Sequence, residues 1–417
     1  MFHQHTLRNG LQIIGEASPQ ARSAAVGFFV RTGSRDETPE VCGVSHFLEH
    51  MAFKGSDRRT TADVNRDFDR IGADYNASTS EEVTVYHACV LPEYLPDALD
   101  SVADLLRPAL RQDDFEMEKK VILEEISRYE DQPQSCAFDR AKRAYFGTHN
   151  LGNSVLGTPE SITALTREQM LAYYRCRYNA ANIVLSVSGC FDFKEVVKLA
   201  QRHCGEWPVG QAGRSGQSET NGSGGVHVVT KAQVAQQYTV LMSPGPAAAS
   251  PLRPAADLLG MAIGDDTGSR LYWELVDPGR AESAGCFFSE YDGTGVFFTS
   301  FSGEPESTAR NLDLTQAVLA AVQREAIRED ELRTAKSKLL SRLVRSSERP
   351  RGRMMAVGMN WLYLGTYRTV DEDLRIYESV TLDAVREVLE RYPLTHNTVL
   401  TFGPLTSLSE VASSKQP

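Results

Sequence analysis

The chain has 417 residues, of which 41% are hydrophobic and 24% are charged, and its formal net charge is −11 at pH 7. This length exceeds one ordinary hydrophobic core and predicts two domains, and the composition is that of a globular protein rather than a disordered one. The negative charge argues against nucleic acid or an anionic membrane as a partner, and it mildly favours basic ligands.

The start of the chain, MFHQHTLRNGLQIIGE, lacks the basic residues and long apolar run of a signal segment. No later stretch approaches the roughly 18 apolar residues that a membrane span needs. The seven cysteines are scattered and contain no CxxC pair, which favours reduced thiols. We therefore expect a cytoplasmic protein without a membrane segment.

The two halves of the chain follow the same order of predicted elements. The strands of the first half lie in LQIIGE, SAAVGFFVRTG, the strand pair GADYNASTSEEVTVYHACV and NIVLSVSG. Those of the second half lie in VHVVT, QQYTVLM, the strand pair AESAGCFFSEYDGTGVFFTSF and NTVLTFG. The helical stretch RQDDFEMEKKVILEEI also aligns with REDELRTAKSKLLSRL. This repeat predicts a duplicated unit of strands and helices.

The composition changes most sharply at residues 211–225, QAGRSGQSETNGSGG, which are rich in glycine and serine and have no apolar periodicity. They predict a flexible linker. The predicted organisation is thus one domain over 1–210, the linker over 211–225 and a homologous domain over 226–417. The predicted fold class is α+β, with two layered domains, each a mixed or antiparallel sheet with helices packed on one face.

The stretch GVSHFLEHMAFKGS places two of the nine histidines around a glutamate. In a helix, His46 and His50 lie one turn apart on one face, with Glu49 beside them. Two neutral imidazoles at this spacing can hold a zinc ion, and the neighbouring carboxylate can accept a proton from water. The alternative is that two structural histidines flank a glutamate by chance. A third ligand would decide between these interpretations.

The helix predicted in DDFEMEKKVILEEISRYE offers that third ligand. Glu118 and Glu125 share a stripe with the apolar Phe115 and Ile122 at helical spacing. Glu124 lies on a different stripe, and periodicity alone does not exclude it. For any one of these glutamates, a solvated face rich in Glu and Lys is the ordinary alternative.

These motifs together resemble those of the pitrilysin or insulinase-type zinc peptidases, the inverzincins. Among them, the chain is most similar to short bacterial processing-type members related to the β subunit of mitochondrial processing peptidase. The matching segments are HFLEHMAFKG, GADYNASTSEEVTVYHACV, EMEKKVILEE, SVLGTPESI, YNAANIVLSVSG, GSRLYWELVD and YDGTGVFFTSF. The resemblance implies a zinc-dependent endopeptidase that hydrolyses peptides or unfolded presequence-like segments.

The same resemblance implies one zinc ion per chain, bound by His46, His50 and Glu125, with Glu49 as the general base. In this family the third ligand follows a second acidic residue by seven positions, and Glu118 with Glu125 has that spacing. Glu118 is then a carboxylate of the catalytic centre that orients a histidine or the ligand helix.

The resemblance also implies how substrate binds. The family adds its peptide as a strand on a sheet edge, and the matching segment here is residues 76–79, in which Asn76, Ala77 and Ser78 are predicted to bind the peptide. Backbone pairing of this kind gives affinity with little sequence demand. The ordinary alternative is that Asn76 only forms a turn at the start of a strand.

The second half is predicted to be a metal-free domain that closes the substrate chamber. On alignment of the halves, apolar residues replace the HxxEH motif, and Ala335 and Arg342 replace the two glutamates. Arg270 matches an arginine with which the family contacts substrate. Glu282 stands where many members have a tyrosine, so a partner chain or Tyr272 would have to supply that contact.

Two domains are half of the four that form a closed chamber in this family. The resemblance therefore implies a homodimer, or a heterodimer with a metal-free paralogue, and the net charge favours substrates with basic residues near the cleaved bond. The alternative from another class is a non-catalytic or weakly active peptide-binding subunit of a hetero-oligomeric peptidase. The intact set of His46, Glu49, His50 and Glu125 argues against it.

Overall fold

The computed structural model describes residues 1–214, 222 and 224–408. The strands are β1 (Phe2–Thr6), β2 (Gln12–Ala17), β3 (Ala24–Val30), β4 (Asp74–Thr79), β5 (Thr84–Val90), β6 (Ile183–Gly189), β7 (Gly225–Thr230), β8 (Gln237–Gly245), β9 (Ser283–Tyr291), β10 (Thr294–Gly303) and β11 (Thr398–Gly403).

The helices of the first half are α1 (Val44–Ala52), α2 (Thr61–Arg70), α3 (Leu95–Leu105), α4 (Gln112–Glu130), α5 (Pro133–Phe146), α6 (Pro159–Ala164), α7 (Arg167–Arg177) and α8 (Phe193–Cys204). Those of the second half are α9 (Arg253–Gly264), α10 (Thr308–Glu325), α11 (Glu329–Ser347), α12 (Pro350–Leu364), α13 (Val370–Glu378) and α14 (Leu382–Arg391). Over the described ranges, every helix is too short or too polar to cross a bilayer.

The first sheet is mixed and has the strand order β1-β2-β6-β3-β5-β4. Its neighbours are antiparallel except for β2 and β6, which run parallel. The apolar β3 lies at its centre and is buried along its whole length. On one face Val26 and Phe28 join the main core with α1 and α3. The edge strand β4 lies at the other end of the sheet from β1.

The second sheet has the strand order β7-β11-β8-β10-β9, with β7 and β11 parallel and the other neighbours antiparallel. This order repeats β2-β6-β3-β5-β4 strand for strand, including the position of the parallel pair. The topology agrees with the predicted duplication, and the predicted α+β class with two layered domains is confirmed.

The compact units of the chain are not continuous in sequence. Residues 128–152 pack in the second unit and residues 344–369 in the first, so the units differ in these two segments from the continuous ranges 1–210 and 226–417. Most of the predicted linker 211–225 lies outside the described residues. The side chain of Arg214, within that range, is buried, and its Nε lies 3.0 Å from Asp36 Oδ1.

Residues 128–152, which pack in the second unit, contain α5, and this helix covers the second face of the second sheet. Ala137 and Tyr145 of this helix are buried in one cluster with Val240, Leu400 and Phe402 of strands β8 and β11. Packing against α5 therefore buries apolar side chains on this face of the sheet that would otherwise be exposed to solvent.

Residues 344–369, which pack in the first unit, contain α12, and this helix covers the second face of the first sheet. Met354 and Val357 are buried in one cluster with Ile14, Ala25 and Phe29. The prediction that helices pack on one face of each sheet is therefore incomplete. Each central strand is apolar on both sides, and the second face needs a helix as well.

Candidate metal centre

Helix α1 carries the HxxEH motif and is fixed by the core behind it. It begins after Gly43, whose φ of 91° lies in the left-handed region and whose Cβ, if present, would lie 2.8 Å from the Leu156 carbonyl oxygen. Phe47 is buried on the core side of the helix. His46 and His50 therefore emerge together, with their ring centroids 4.6 Å apart.

Helix α4 brings the third candidate ligand to these rings. Phe115 stacks on Phe47 of α1, with 4.8 Å between the ring centroids. Ten residues further along α4, Glu125 Oε2 lies 3.4 Å from His50 Nε2 and 3.9 Å from His46 Nε2. Glu124 is exposed. Of the two glutamates that periodicity left open, the structure brings Glu125 to the histidines.

The three side chains fit a zinc ion by donor type and spacing. Within the described part of the chain they form the one group of His, Cys, Asp or Glu residues whose ligand atoms, here on His46, His50 and Glu125, all lie within 4.8 Å of one another. Ligands about 2 Å from a tetrahedral zinc lie roughly 3–4 Å apart, which matches the two separations above. Burial, with a smaller contribution from His50, lowers the pKa of His46 to about 3. Its imidazole is therefore neutral, as a metal ligand must be.

Glu118 holds the ring of His50 from the side away from Glu125. His50 Nδ1 donates to Glu118 Oε1 at 2.9 Å, which leaves the lone pair on Nε2. Lys54 Nζ pairs with the other carboxylate oxygen at 2.5 Å. Burial raises the pKa of Glu118, but the hydrogen bonds from His50 and Lys54 outweigh it and the net shift is downward. An ionised Glu118 thus fixes the His50 tautomer.

Glu49 is oriented by a hydroxyl from the edge strand β4. Thr79 Oγ1 donates to Glu49 Oε2 at 2.5 Å. Burial raises the pKa of Glu49, and the bond from Thr79 opposes this shift only in part. A carboxylate with a raised pKa is a better proton acceptor than an ordinary one.

The three residues predicted to bind peptide lie on β4, at the outer edge of the first sheet. Asn76 and Ser78 are exposed and Ala77 is buried, as expected for alternating positions of an edge strand. Asn76 Oδ1 accepts the N–H of Ala77 at 2.9 Å. The same strand reaches Glu49 through Thr79, so this edge lies beside the metal centre.

The predicted substrate-contacting residues of the second half are engaged within the second unit. Arg270 donates to both carboxylate oxygens of Glu331 at 2.8 Å and to the Ala326 carbonyl at 3.1 Å. Glu282 accepts a hydrogen bond from the Gln236 side chain. Tyr272 begins a π-helical turn, Tyr272–Val276. A substrate contact by Arg270 stays a prediction.

The second unit has an ion-paired cluster where the alignment of the halves places the counterpart of the metal centre. Asp265, which follows α9, accepts from Lys338 Nζ at 2.7 Å and from Arg342 at 2.5 Å. Both cations lie on α11, the counterpart of α4, and Arg342 aligns with Glu125. Two charge-assisted hydrogen bonds thus join the two helices there.

Three residues that act on the centre were missed from the sequence. Lys54 lies one turn after His50, and that spacing was a usable signal. Thr79 belongs to the predicted peptide-binding strand, but nothing in the sequence linked its hydroxyl to Glu49. Glu37 lies in the loop before α1 and accepts the N–H groups of Gly43 and Ser45. A single glutamate in a loop carries no periodic signal.

Comparison with known proteins places the chain in a family. Residues 12–159 match the model Insulinase (Peptidase family M16), and residues 164–339 match the model Peptidase M16 inactive domain. The chain belongs to peptidase family M16. It is 32% identical over 388 residues to the uncharacterized zinc protease YmxG of Bacillus subtilis. The aligned residues cover 92% of this chain and 94% of that protein. An uncharacterized zinc protease of Mycobacterium tuberculosis is 34% identical over 396 residues, 92% of this chain and 89% of that one.

Solved structures share the fold at low sequence identity. A Pseudomonas fluorescens structure described as a peptidase M16 inactive domain has a TM-score of 0.90 at 18% identity and covers 98% of both chains. A protease from Helicobacter pylori has a TM-score of 0.89 at 21% identity, over 97% of this chain and 99% of that one. The chain thus shares the fold of these two structures.

Proposed function

We propose that this protein is a zinc-dependent endopeptidase that hydrolyses peptides or unfolded presequence-like segments. The observation that carries the proposal is the convergence of His46, His50 and Glu125, with the carboxylate of Glu49 on the same helical turn. The names of the relatives, which are zinc proteases, support zinc as the metal.

Each residue then has a defined task. His46, His50 and Glu125 would hold the metal, and Glu118 keeps the His50 ring in the tautomer that leaves Nε2 free. When bound there, zinc would polarise a carbonyl and lower the pKa of water. Glu49 accepts the proton of the attacking water and delivers it to the leaving amine.

The substitution Glu49→Gln tests this assignment. It keeps the shape of the side chain and removes its basicity, so zinc should stay bound while peptide cleavage falls by about 100-fold or more. Metal content by mass spectrometry and cleavage of a casein or peptide-library substrate measure the two effects. Unchanged cleavage by the variant would refute the role of Glu49. Wild-type protein that binds zinc and peptide without cleaving it would favour the alternative of a non-catalytic peptide-binding subunit.

The edge strand β4 is the proposed platform for the substrate backbone, through Asn76, Ala77 and Ser78. A peptide added there as a strand depends on its own N–H groups. Peptides N-methylated at alternate residues should therefore compete less well than their unmethylated forms. Equal competition by both forms would contradict strand addition.

The net charge of −11 supports a preference for basic residues near the cleaved bond. Cleavage profiling of a random peptide library should show enrichment of Lys or Arg. This enrichment should weaken as salt rises, because screening shortens the range of the attraction. A profile without enrichment at low salt would remove the preference from the proposal.

For assembly we propose a dimer, with two copies of the chain or one copy and a metal-free paralogue. The support is the number of units, since this chain supplies two of the four that a closed chamber requires in the family it resembles. Light scattering coupled to size-exclusion chromatography measures the mass of the active fraction. Activity that elutes only at the monomer mass would overturn this part.

A further inference from the structure

A fully buried carboxylate lies at the N-terminus of the helix that carries the HxxEH motif. Glu37 has 0% exposed surface. Its Oε2 accepts the N–H of Gly43 at 2.6 Å, and its Oε1 accepts the N–H of Ser45 at 2.7 Å. Both carboxylate oxygens are thus directed at the first turn of α1, from a loop residue six positions before Gly43.

Helix α1 needs such a group from outside. The first N–H groups of any helix lack acceptors within the helix. In α1 the first helical backbone hydrogen bond runs from the N–H of Phe47 to the Gly43 carbonyl at 3.0 Å. The residue at the N-cap is Gly43, which has no side chain to provide a cap. With nine residues, α1 is also too short to be stable by itself. A carboxylate at this end is further favoured by the helix dipole.

The loop that holds Glu37 is itself fixed. The Oδ1 atom of Asp36, its neighbour, lies 3.0 Å from Arg177 Nη2 and 3.0 Å from Arg214 Nε. On the helix side, the hydroxyl of Tyr173 is 2.7 Å from Ser45 Oγ. Contacts with α7 and with Arg214 therefore hold the cap in place.

We propose that Glu37 is a positioning residue of the metal centre. Its carboxylate holds the first turn of α1, so that His46 and His50 keep the register in which they face Glu125. His46 lies directly after Ser45, whose N–H the carboxylate binds, so a shift of this turn moves the ligand itself. The consequence for zinc rests on the proposed function, whereas the effect on α1 rests on the capping geometry alone.

The variant Glu37→Gln tests the proposal with little change in volume. Its amide NH₂ replaces one acceptor oxygen and faces a backbone N–H, so one cap bond is lost. The matched control is Asp192→Ala, which removes a capping carboxylate from α8 in the same unit, where Asp192 accepts the N–H of Lys194 at 2.7 Å. Helix α8 carries none of the proposed site residues. The full chain is used for both variants.

Two measurements distinguish a specific effect from general destabilisation. Competition with a chromogenic chelator should show zinc binding weakened by about 10–100-fold in Glu37→Gln and within about twofold of wild type in Asp192→Ala. In metal-free protein, hydrogen exchange should accelerate over residues 44–52 in the first variant and over residues 193–204 in the second. Should Glu37→Gln fail to fold, Glu37→Asp, which is too short to reach both N–H groups, takes its place.

The outcomes separate the two proposals. Equal zinc affinity in folded Glu37→Gln and wild type, or equal weakening in the α8 control, would overturn the positioning role. If wild-type protein does not bind zinc, the proposed function fails, and the exchange of residues 44–52 alone then decides whether Glu37 holds α1. If it binds zinc without cleaving peptides, the positioning role is still tested by affinity.

Discussion

Neighbouring glutamates on α4 provide a test at the scale of single residues. Glu125 lies within 3.4 Å of His50 Nε2, while Glu124 is exposed on another face of the helix. Glu125→Gln removes a charged ligand and should weaken zinc binding by about 100-fold or more, because a neutral amide is a poor zinc ligand. Glu124→Gln should change affinity by less than about twofold. Chelator competition measures both, and equal effects of the two substitutions would contradict the ligand assignment.

The residues of the centre differ in how well the sequence predicts them. The spacing of His46 and His50 is a property of one helix, so periodicity places both on one face. The choice of Glu125 needed the family resemblance, because periodicity left Glu124 open. Neither method identifies Glu37 or Thr79. Glu37 caps α1 from an irregular loop that has no periodic pattern, and Thr79 contacts Glu49 across 30 residues of sequence.

At the scale of elements, the order of strands and helices was largely predictable from the sequence, and the partners of two helices were not. Apolar patterns predicted the described strands other than β1, and the predicted duplication agrees with the repeated sheet order. The apolar faces of α5 and α12 show that each helix must be buried, but they do not tell which sheet buries it. Each of the two helices packs in the unit formed mainly by the other half of the chain.

The contact between α9 and α11 yields a prediction about pH. Burial raises the pKa of Asp265, but hydrogen bonds from Lys338 and Arg342 outweigh it, and the net shift is downward. A carboxyl with a lowered pKa in the folded state stabilises the fold above its unfolded pKa, and this contribution is lost as the pH falls through the folded value. Asp265→Asn should therefore lower the free energy of unfolding by about 1–2 kcal/mol at pH 7 and by less at pH 3.

Urea unfolding at the two pH values measures this difference, with Asp266→Asn as the control. Asp266 is the next residue and is exposed, so its substitution should change the free energy of unfolding by less than about 0.5 kcal/mol. A gap between wild type and Asp265→Asn that widens at pH 3 would contradict the assigned direction of the pKa shift. Zinc affinity should be unaffected, because Asp265 belongs to the unit without the HxxEH helix.

At the scale of the whole molecule, two units share a topology while the HxxEH motif and its glutamate belong to one of them. A ligand stabilises the unit that binds it by about 2.7 kcal/mol when its free concentration is 100 times the dissociation constant. For a unit of about 200 residues this corresponds to a shift of roughly 5–10 °C in the unfolding temperature. Calorimetry of the full chain should therefore show two unfolding transitions, and zinc should raise the temperature of one of them.

The Asp265→Asn variant assigns these transitions, because it weakens only the second unit. We expect zinc to raise the temperature of the transition that Asp265→Asn leaves unchanged. We expect Glu125→Gln to abolish this zinc-dependent rise. The same scan in excess EDTA should return wild type to the temperature of the Glu125→Gln protein. A zinc-dependent rise in the transition that Asp265→Asn lowers would place the metal in the second unit and contradict the proposed centre, since a bound ion stabilises the unit whose side chains coordinate it.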